Sequence, residues 1–372
     1  MFPRHYHLES RSKNIGGNIM RKLAYLLSCV GITYKEYCSI FQHVKSVSDI
    51  KDNEKDIRRY ISDQKWNTMI SKLVRLDDDF ENMKSLGLNV LTIEDEFYPE
   101  SLKNIFDPPY ILYYIGDIKL LKKFCISVVG SRKPTPYGIF AATKFSKELV
   151  ENGIVVVSGL AIGIDTCAHK SAVENDGKTI GILGTAFDNI YPKSNTKFIK
   201  NIVSSGNLVL SEYPLNKKTM PYHFVQRNRL ISGIGEGLLV IEAGAKSGTL
   251  TTVDFALEQG KTVFSIPGNI DSRNSFGTNN LIKTGAKLVM DIDDILNEYP
   301  DFNFSCKKRE GYKYELSETE KLIFDFLKFK GVQNIETIAF FTNTKIKDII
   351  GILNILVIKG VVKELGNGMY SL

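Results

Sequence analysis

Two groupings recur in the middle of this 372-residue chain: glycine beside a hydroxyl residue, and arginine beside an amide or a ring. Gly130-Ser131-Arg132-Lys133 runs into Thr135-Pro136, a helix-capping side chain followed by a proline suited to a first helical turn. Backbone N–H groups, the positive end of a helix and a guanidinium would then meet at one point, which suits a phosphate. Ser158-Gly159-Leu160-Ala161-Ile162-Gly163-Ile164-Asp165 repeats the pattern, and so does Gly244-Ala245-Lys246-Ser247-Gly248-Thr249. Between them, Phe224, Arg227, Asn228 and Arg229 combine charge for a nucleic-acid backbone, an amide for base edges and a ring for stacking. The same spacing also fits a core phenylalanine and a helix-capping asparagine. Asn269, Asn279, Asn280 and Lys283 add amide and basic groups further on.

Several other chemistries are not written here. No G-x-x-x-x-G-K-[ST] occurs, which disfavours an ATP-driven motor, and no G-x-G-x-x-G follows the first strand of the α/β region, which argues against a nicotinamide dehydrogenase. There is no G-x-S-x-G elbow. Asp165 and His169 lie four apart on one expected helix and with Ser158 form a notional Ser/His/Asp set. A carboxylate–imidazole pair fixing the helix to its loop is the plainer reading, and no catalytic residue, metal ligand or cofactor site is assigned.

These loops need elements to hold them. From 125 to 297, β-branched runs (Ile126–Val129, Ile154–Val157, Thr179–Leu183, Leu208–Leu210, Leu238–Ile241, Thr262–Ile266) alternate with helical patterns. Continuous apolar strands interleaved with helices imply a doubly wound parallel α/β sheet, whose ligands bind outside the carboxyl ends of the strands. Residues 1–88 read as a small helical domain, in which the segment around Gly31-Ile32-Thr33 could be half of a helix-hairpin-helix but reads more simply as a structural bundle. Residues 89–121 read as a lead-in with short extended pieces between proline turns, so the α/β region with its lead-in spans 89–300. Residues 301–314 read as a linker. Residues 315–372 carry three helices, Ser317–Phe329, Ile335–Phe341 and Ile346–Lys359, and a terminal hairpin around Gly366-Asn367-Gly368, the outline of a winged helix.

Composition agrees: 43% hydrophobic and 24% charged residues describe a globular chain of two or three domains. No apolar run reaches the roughly 18 residues of a membrane span, so no membrane association is expected. Leu26-Leu27-Ser28-Cys29 imitates a lipoprotein cleavage site, but Arg4, Glu9, Arg11 and Lys13 precede it and the apolar stretch is short. Five cysteines without a C-x-x-C pair read as cytoplasmic thiols. The net charge of +6 is balanced over residues 1–121 and concentrated in 122–300, so a polyanion would meet the middle of the chain.

Taken in order, these motifs resemble one family closely: DprA, also called Smf, the DNA-processing proteins of natural transformation. The resemblance rests on Val129-Gly130-Ser131-Arg132, Ser158-Gly159-Leu160-Ala161 through Gly163-Ile164-Asp165 and Ala168-His169, and Ser211-Glu212-Tyr213-Pro214. It continues through Phe224 with Arg227-Asn228-Arg229 and Ile231-Ser232-Gly233, Glu242-Ala243 with Ser247-Gly248-Thr249-Leu250, and Pro267-Gly268 through Asn279-Asn280-Leu281-Ile282. It covers about residues 90–297. It implies an extended Rossmann-like domain that binds single-stranded DNA, delivers it to the RecA recombinase in the presence of single-strand-binding protein, and forms a homodimer. It further implies a sterile-alpha-motif-like N-terminal domain and a C-terminal winged helix. By motif position, the implied DNA pocket comprises Gly130, Ser131, Arg132, Ser158, Gly159, Phe224, Arg227, Arg229, Ser247, Gly248 and Thr249. Asn228 and Lys283 join them from the reading of the residues. Pro221-Tyr222-His223 stands ahead of Phe224 where some members carry a lysine.

Two other classes compete. Rossmann-like phosphoribohydrolases use Gly/Ser/Thr loops on nucleotides, but their P-G-G-x-G-T is only echoed by Gly244–Thr249. A ligand-sensing transcription regulator would read duplex DNA through the C-terminal helix Ile346–Lys359, yet Lys345, Lys347 and Lys359 are the only cations there.

Overall fold

The computed structural model describes residues 15–304, 316–359, 361–366 and 368–372. Most of the expected linker, Cys306, Asn367 and the charged residues ahead of position 15 lie outside the described residues. The chain divides into two compact units, Met1–Ser305 and Cys306–Leu372.

The first unit begins with helices α1 (Ile15–Val30), α2 (Tyr34–Phe41), α3 (Asp49–Asp52), α4 (Glu54–Ile57), α5 (Asp63–Leu73) and α6 (Leu76–Ser85). Gly31, at φ +77°, ends α1, and Thr33 caps α2 in a reciprocal box with Glu36. Leu26 and Leu27 of the lipoprotein look-alike are fully buried in α1. The helices share a core with strands β1 (Asn89–Thr92) and β2 (Ile111–Gly116): Leu23, Ile40, Trp66 and Phe80 pack with Val90, Ile111 and Tyr113. The short helix α7 (Glu100–Lys103) lies between those strands.

The main sheet continues with β3 (Cys125–Val129), β4 (Val155–Ser158), β5 (Thr179–Leu183), β6 (Leu208–Ser211), β7 (Gly237–Val240), β8 (Thr262–Ser265) and β9 (Lys287–Leu288). Their order is β1-β2-β6-β5-β4-β3-β7-β8-β9. β3 to β9 are parallel to their neighbours, while β2 joins β6 antiparallel, Tyr114 opposite Leu210. The lead-in segment is thus part of the sheet, an outcome its proline-broken sequence concealed.

Between strands run α8 (Pro136–Glu151), α9 (Ile164–Glu174), α10 (Thr196–Ser204), α11 (Pro221–Ile234), α12 (Gly248–Glu258), α13 (Phe276–Lys283) and α14 (Asp293–Leu296). Alternation along the strands feeds two cores. Ile126, Val128, Val156 and Leu239 meet Phe145 and Leu149 of α8 and Ala168 and Ala172 of α9. Val155, Val157, Ile180 and Leu238 meet Leu230 and Ile231 of α11 and Val253 of α12 on the other face. Each fully buried Leu, Ile or Val contributes about 1.5–3 kcal/mol relative to exposure. The chain steps outward from β3 to β6, then α11 carries it back to β7 on the other side of β3. That reversal makes the carboxyl ends of β3 and β7 the switch point where such sheets hold ligands.

The second unit contains α15 (Glu318–Lys330), β10 (Gln333–Asn334), α16 (Ile335–Phe341), α17 (Ile346–Ile358), β11 (Lys363–Gly366) and β12 (Met369–Ser371). The three strands form an antiparallel sheet in the order β10-β12-β11 around a core of Ile323, Leu327, Ile338, Leu353 and Tyr370. Among the described residues no helix is long and apolar enough to cross a membrane.

Candidate nucleic-acid interface

The loop after β3 is held from both sides. Thr135 caps α8 by accepting from Gly138 N at 3.1 Å, and Pro136 occupies the first turn. Beneath them Glu242, buried at the end of β7, accepts from Thr135 N at 3.0 Å and from the Thr135 hydroxyl. Asn274 Nδ2 donates to Lys133 O at 2.8 Å, and Ile164 N donates to Ser131 O at 3.1 Å. Gly163 closes the clamp at φ +87°, since a Cβ there would collide with Ser131 O. On this fixed loop the Arg132 side chain is exposed, without a hydrogen-bond or ion-pair partner among the described residues. An unpaired guanidinium on a pre-ordered loop is ready to take a phosphate.

The loop after β4 is built over a buried charge. Ser158 Oγ donates to Val128 O at 2.6 Å, and Asp165 Oδ2 accepts from Ala161 N at 3.3 Å. Arg227, on α11, extends beneath this loop and donates to the carbonyls of Gly159 and Ile182. Burial lowers the Arg227 pKa to about 10, partly offset by Asp165, so the guanidinium remains charged at neutral pH. Burial raises the Asp165 carboxyl even though Arg227 opposes the shift.

The Ser/His/Asp arrangement does not form, and Asp165 and His169 do not pair with each other. Ser158 Oγ donates to Val128 O beside the Asp165 carboxyl, Asp165 faces Arg227, and His169 Nδ1 lies 2.6 Å from Thr179 Oγ1. The same hydroxyl lies 2.7 Å from Val156 O, so Thr179 ties the ring to β4. Burial drops the His169 pKa to about 3, keeping the ring neutral.

On α11 the side chains diverge. Phe224 is half-buried, packed on Gly184 at the end of β5 and edge-on to Tyr191, with ring centroids 5.6 Å apart. Tyr191 is itself exposed. Asn228 is half-buried, its Oδ1 3.4 Å from Arg227 Nε. Arg229 is buried and bonded to Glu212 at 2.5 Å, with Asp107 at 3.6 Å. Burial opposes its charge, but Glu212 and Asp107 outweigh that and raise its pKa. The sequence suggested that Arg227 and Arg229 offer free charge to a backbone. The structure gives both internal partners, because each helix face they occupy packs against the protein.

Ser247 caps α12 by accepting from Thr249 N at 3.2 Å, with Gly248 exposed beside it and Thr249 buried. Lys246 and Arg273 are exposed on neighbouring loops. Lys283 is exposed at the last turn of α13, about 10 Å along the axis from the end that meets the edge at Ala243. The structure does not bring Lys283 to the other site residues. Sequence reasoning passed over Tyr191 and a cleft of about 530 Å³ beside Thr135, Tyr137 and Asn269. Thr135 and Asn269 were noted for capping and amide chemistry, and the aromatic following Pro136 was the signal that would have joined them.

The N-termini of α8, α9, α11 and α12 all open onto the same sheet edge, each following the carboxyl end of a strand. Helix starts, glycine loops and an unpaired arginine define a doubly wound anion-binding module of the nucleotide and nucleic-acid class. The chain belongs to the DNA recombination-mediator protein A family, whose model matches residues 89–300. It is 40% identical over 218 residues to DNA processing protein DprA of Bacillus subtilis, covering 58% of this chain and 73% of that one. The crystal structure of DNA processing protein A from Streptococcus pneumoniae superposes with a TM-score of 0.64 at 36% identity, covering 75% of this chain and 98% of that one. DNA processing protein A from Helicobacter pylori, whose structure bears on its single-stranded DNA binding mode, matches with a TM-score of 0.52 at 32% identity, covering 57% and 96%.

Proposed function

We propose that this chain binds single-stranded DNA along the carboxyl edge of the sheet and hands it to a RecA-type recombinase, in the presence of single-strand-binding protein, as a homodimer. The observation that carries the reading is Arg132: exposed, unpaired, and fixed by Glu242 beneath and Gly163 behind. The Helicobacter pylori relative, matched over 57% of this chain, supports the choice of ligand. Phosphates meet Arg132 and the backbone N–H groups of Gly130 and Ser131. A base stacks on Phe224 or Tyr191, while Ser158, Gly159, Asn228, Ser247, Gly248 and Thr249 shape the edge. Arg227 and Arg229 serve from inside, positioning the loops. The chain acts by binding, without catalysis, a reading supported by Ser158 Oγ donating to Val128 O and by a fully buried His169 that does not pair with Asp165. The C-terminal unit, three helices and a hairpin, is a winged helix in this reading.

Fluorescence anisotropy with an oligothymidylate and a duplex of equal length, at two salt concentrations, tests the proposal. Tighter binding of the single strand, weakening as salt rises through counterion release, supports it. Equal affinity for the duplex overturns it.

A further inference from the structure

We infer that the cleft between the start of α8 and the loop after β8 is a second nucleotide subsite, taking the residue of the strand next to the one held at Arg132. The inference deepens the single-strand reading and rests on it. The cleft has a volume of about 530 Å³ and is lined by Thr135, Tyr137, Gly268, Asn269, Ser272 and Ser275. That falls within the roughly 300–1,000 Å³ of small-ligand pockets. Its floor is built: Glu242 bonds Thr135 from below, and Gly268 exchanges hydrogen bonds with the Asn279 side chain at 3.1 and 3.0 Å.

The chemistry of its wall fits a nucleotide. Tyr137 is 45% exposed, and its hydroxyl donates to Pro267 O at 2.7 Å, which pins the ring across the cleft instead of leaving it free to rotate away. A pinned, half-open ring is a stacking platform. Asn269 and Ser272 supply an amide and a hydroxyl for a base edge or sugar. Lys133 and Arg273 stand exposed on the two flanking loops, without ion-pair partners among the described residues. Of the two acids nearby, Glu242 is buried and engaged by Thr135 and Asn274, leaving Asp271 exposed on the loop. The local balance favours an anion.

Position supplies the continuity. Thr135 is three residues beyond Arg132, within about 10 Å of chain. Along the edge the strand ends run β5, β4, β3, β7, β8. At about 4.8 Å per strand, Phe224 over β5 and the cleft beside β8 are on the order of 19 Å apart. Arg132 lies between them, so one extended strand can meet all three.

The test uses the full chain, with Tyr137→Ala, Tyr137→Phe, Arg273→Ala and Arg132→Ala, and oligothymidylates lengthened one nucleotide at a time. In the parent protein, affinity should step up when the strand becomes long enough to enter the cleft. Tyr137→Ala should remove that step, weakening binding of the longest strand roughly 5- to 100-fold while leaving the shortest binding strand unchanged. Arg273→Ala should lessen the step, and Tyr137→Phe, which keeps the ring but loses its pin on Pro267, should retain only part of it. If Tyr137→Ala and Arg273→Ala match the parent at every length while Arg132→Ala weakens all lengths, the subsite is refuted and the single-strand reading stands. A uniform loss in Tyr137→Ala at every length, with or without a lowered Tm, makes Tyr137 a prop for the loop and also overturns the inference. If Arg132→Ala binds like the parent throughout, the single-strand reading itself fails.

Discussion

The Arg227 guanidinium lies directly beneath Gly159, donating to its carbonyl, and a Cβ at 159 would stand 2.9 Å from Arg227 Cζ and 2.8 Å from Asp165 Oδ2. Three elements, α11, the β4 loop and α9, therefore meet around one buried cation. The glycine is required there by the arginine below it, whereas a purely ligand-facing glycine would tolerate a side chain on its inner side. The edge loops are rigid because their charge is partly inside.

Arg227→Ala should accordingly be a stability mutant. It removes the cation facing the buried Asp165 carboxyl and the donor that Gly159 O and Ile182 O share, a loss of buried polar partners that typically costs about 1–3 kcal/mol or more. Urea denaturation should show the loss. Wild-type stability with a reduced salt dependence of DNA binding would instead mean that Arg227 reaches the backbone.

Arg132→Ala should behave in the opposite way. The side chain is exposed and unpaired, so stability should change by no more than about 0.5 kcal/mol. DNA affinity should fall, and the slope of log affinity against log salt should shrink by about one unit. Unaltered binding by a folded variant would place the DNA elsewhere.

The β3–β8 strands and the glycine loops were legible because fully buried parallel strands are continuous apolar runs, and because Thr135-Pro136 and Ser247 carry capping chemistry in their own side chains. What escaped reading is tertiary. Arg227 and Arg229 look alike on paper, two cations flanking Asn228, but one finds carbonyls and Asp165 and the other finds Glu212 and Asp107, which are distant in sequence. Asp165 and His169 have helical spacing for a pair, yet Thr179 on β5 offers His169 a closer partner. The pairing of β2 with β6 depends on a contact between segments nearly 100 residues apart, and Lys283 shares a segment with edge residues while a helix carries it away. Local pattern reports caps and strands, and long-range pairing decides which charges remain free.

The buried His169 gives a pH signature. Its pKa falls from 6.5 to about 3 on folding, so below about pH 6.5 the unfolded chain takes up a proton that the folded one refuses. Stability from this group is full above that pH and is lost as pH falls. The slope is about 1.4 kcal/mol per unit, or roughly 2 kcal/mol by pH 5. Comparing urea midpoints of the parent and His169→Gln at pH 7 and pH 5 isolates the effect, since shifts at Asp165 and Glu212 are common to both. The parent should lose more stability than the variant between the two pH values. Parallel losses would mean that His169 becomes protonated within the folded protein.

Phe224 separates stacking from charge. Its ring is half-buried, braced by Gly184 and Tyr191, so part of it supports the β5 loop and part is open to a ligand. Phe224→Ala should cost about 1–3 kcal/mol of DNA affinity with the salt slope nearly unchanged, because no phosphate contact is lost. A modest fall in Tm should accompany it, since a half-buried ring gives up less than a core phenylalanine would. Phe224→Tyr should retain the stacking face and most of the affinity. A marked fall in Tm with full affinity in the folded fraction would confine Phe224 to packing, and the exposed ring of Tyr191 would then be the platform, testable by Tyr191→Ala in the same assay.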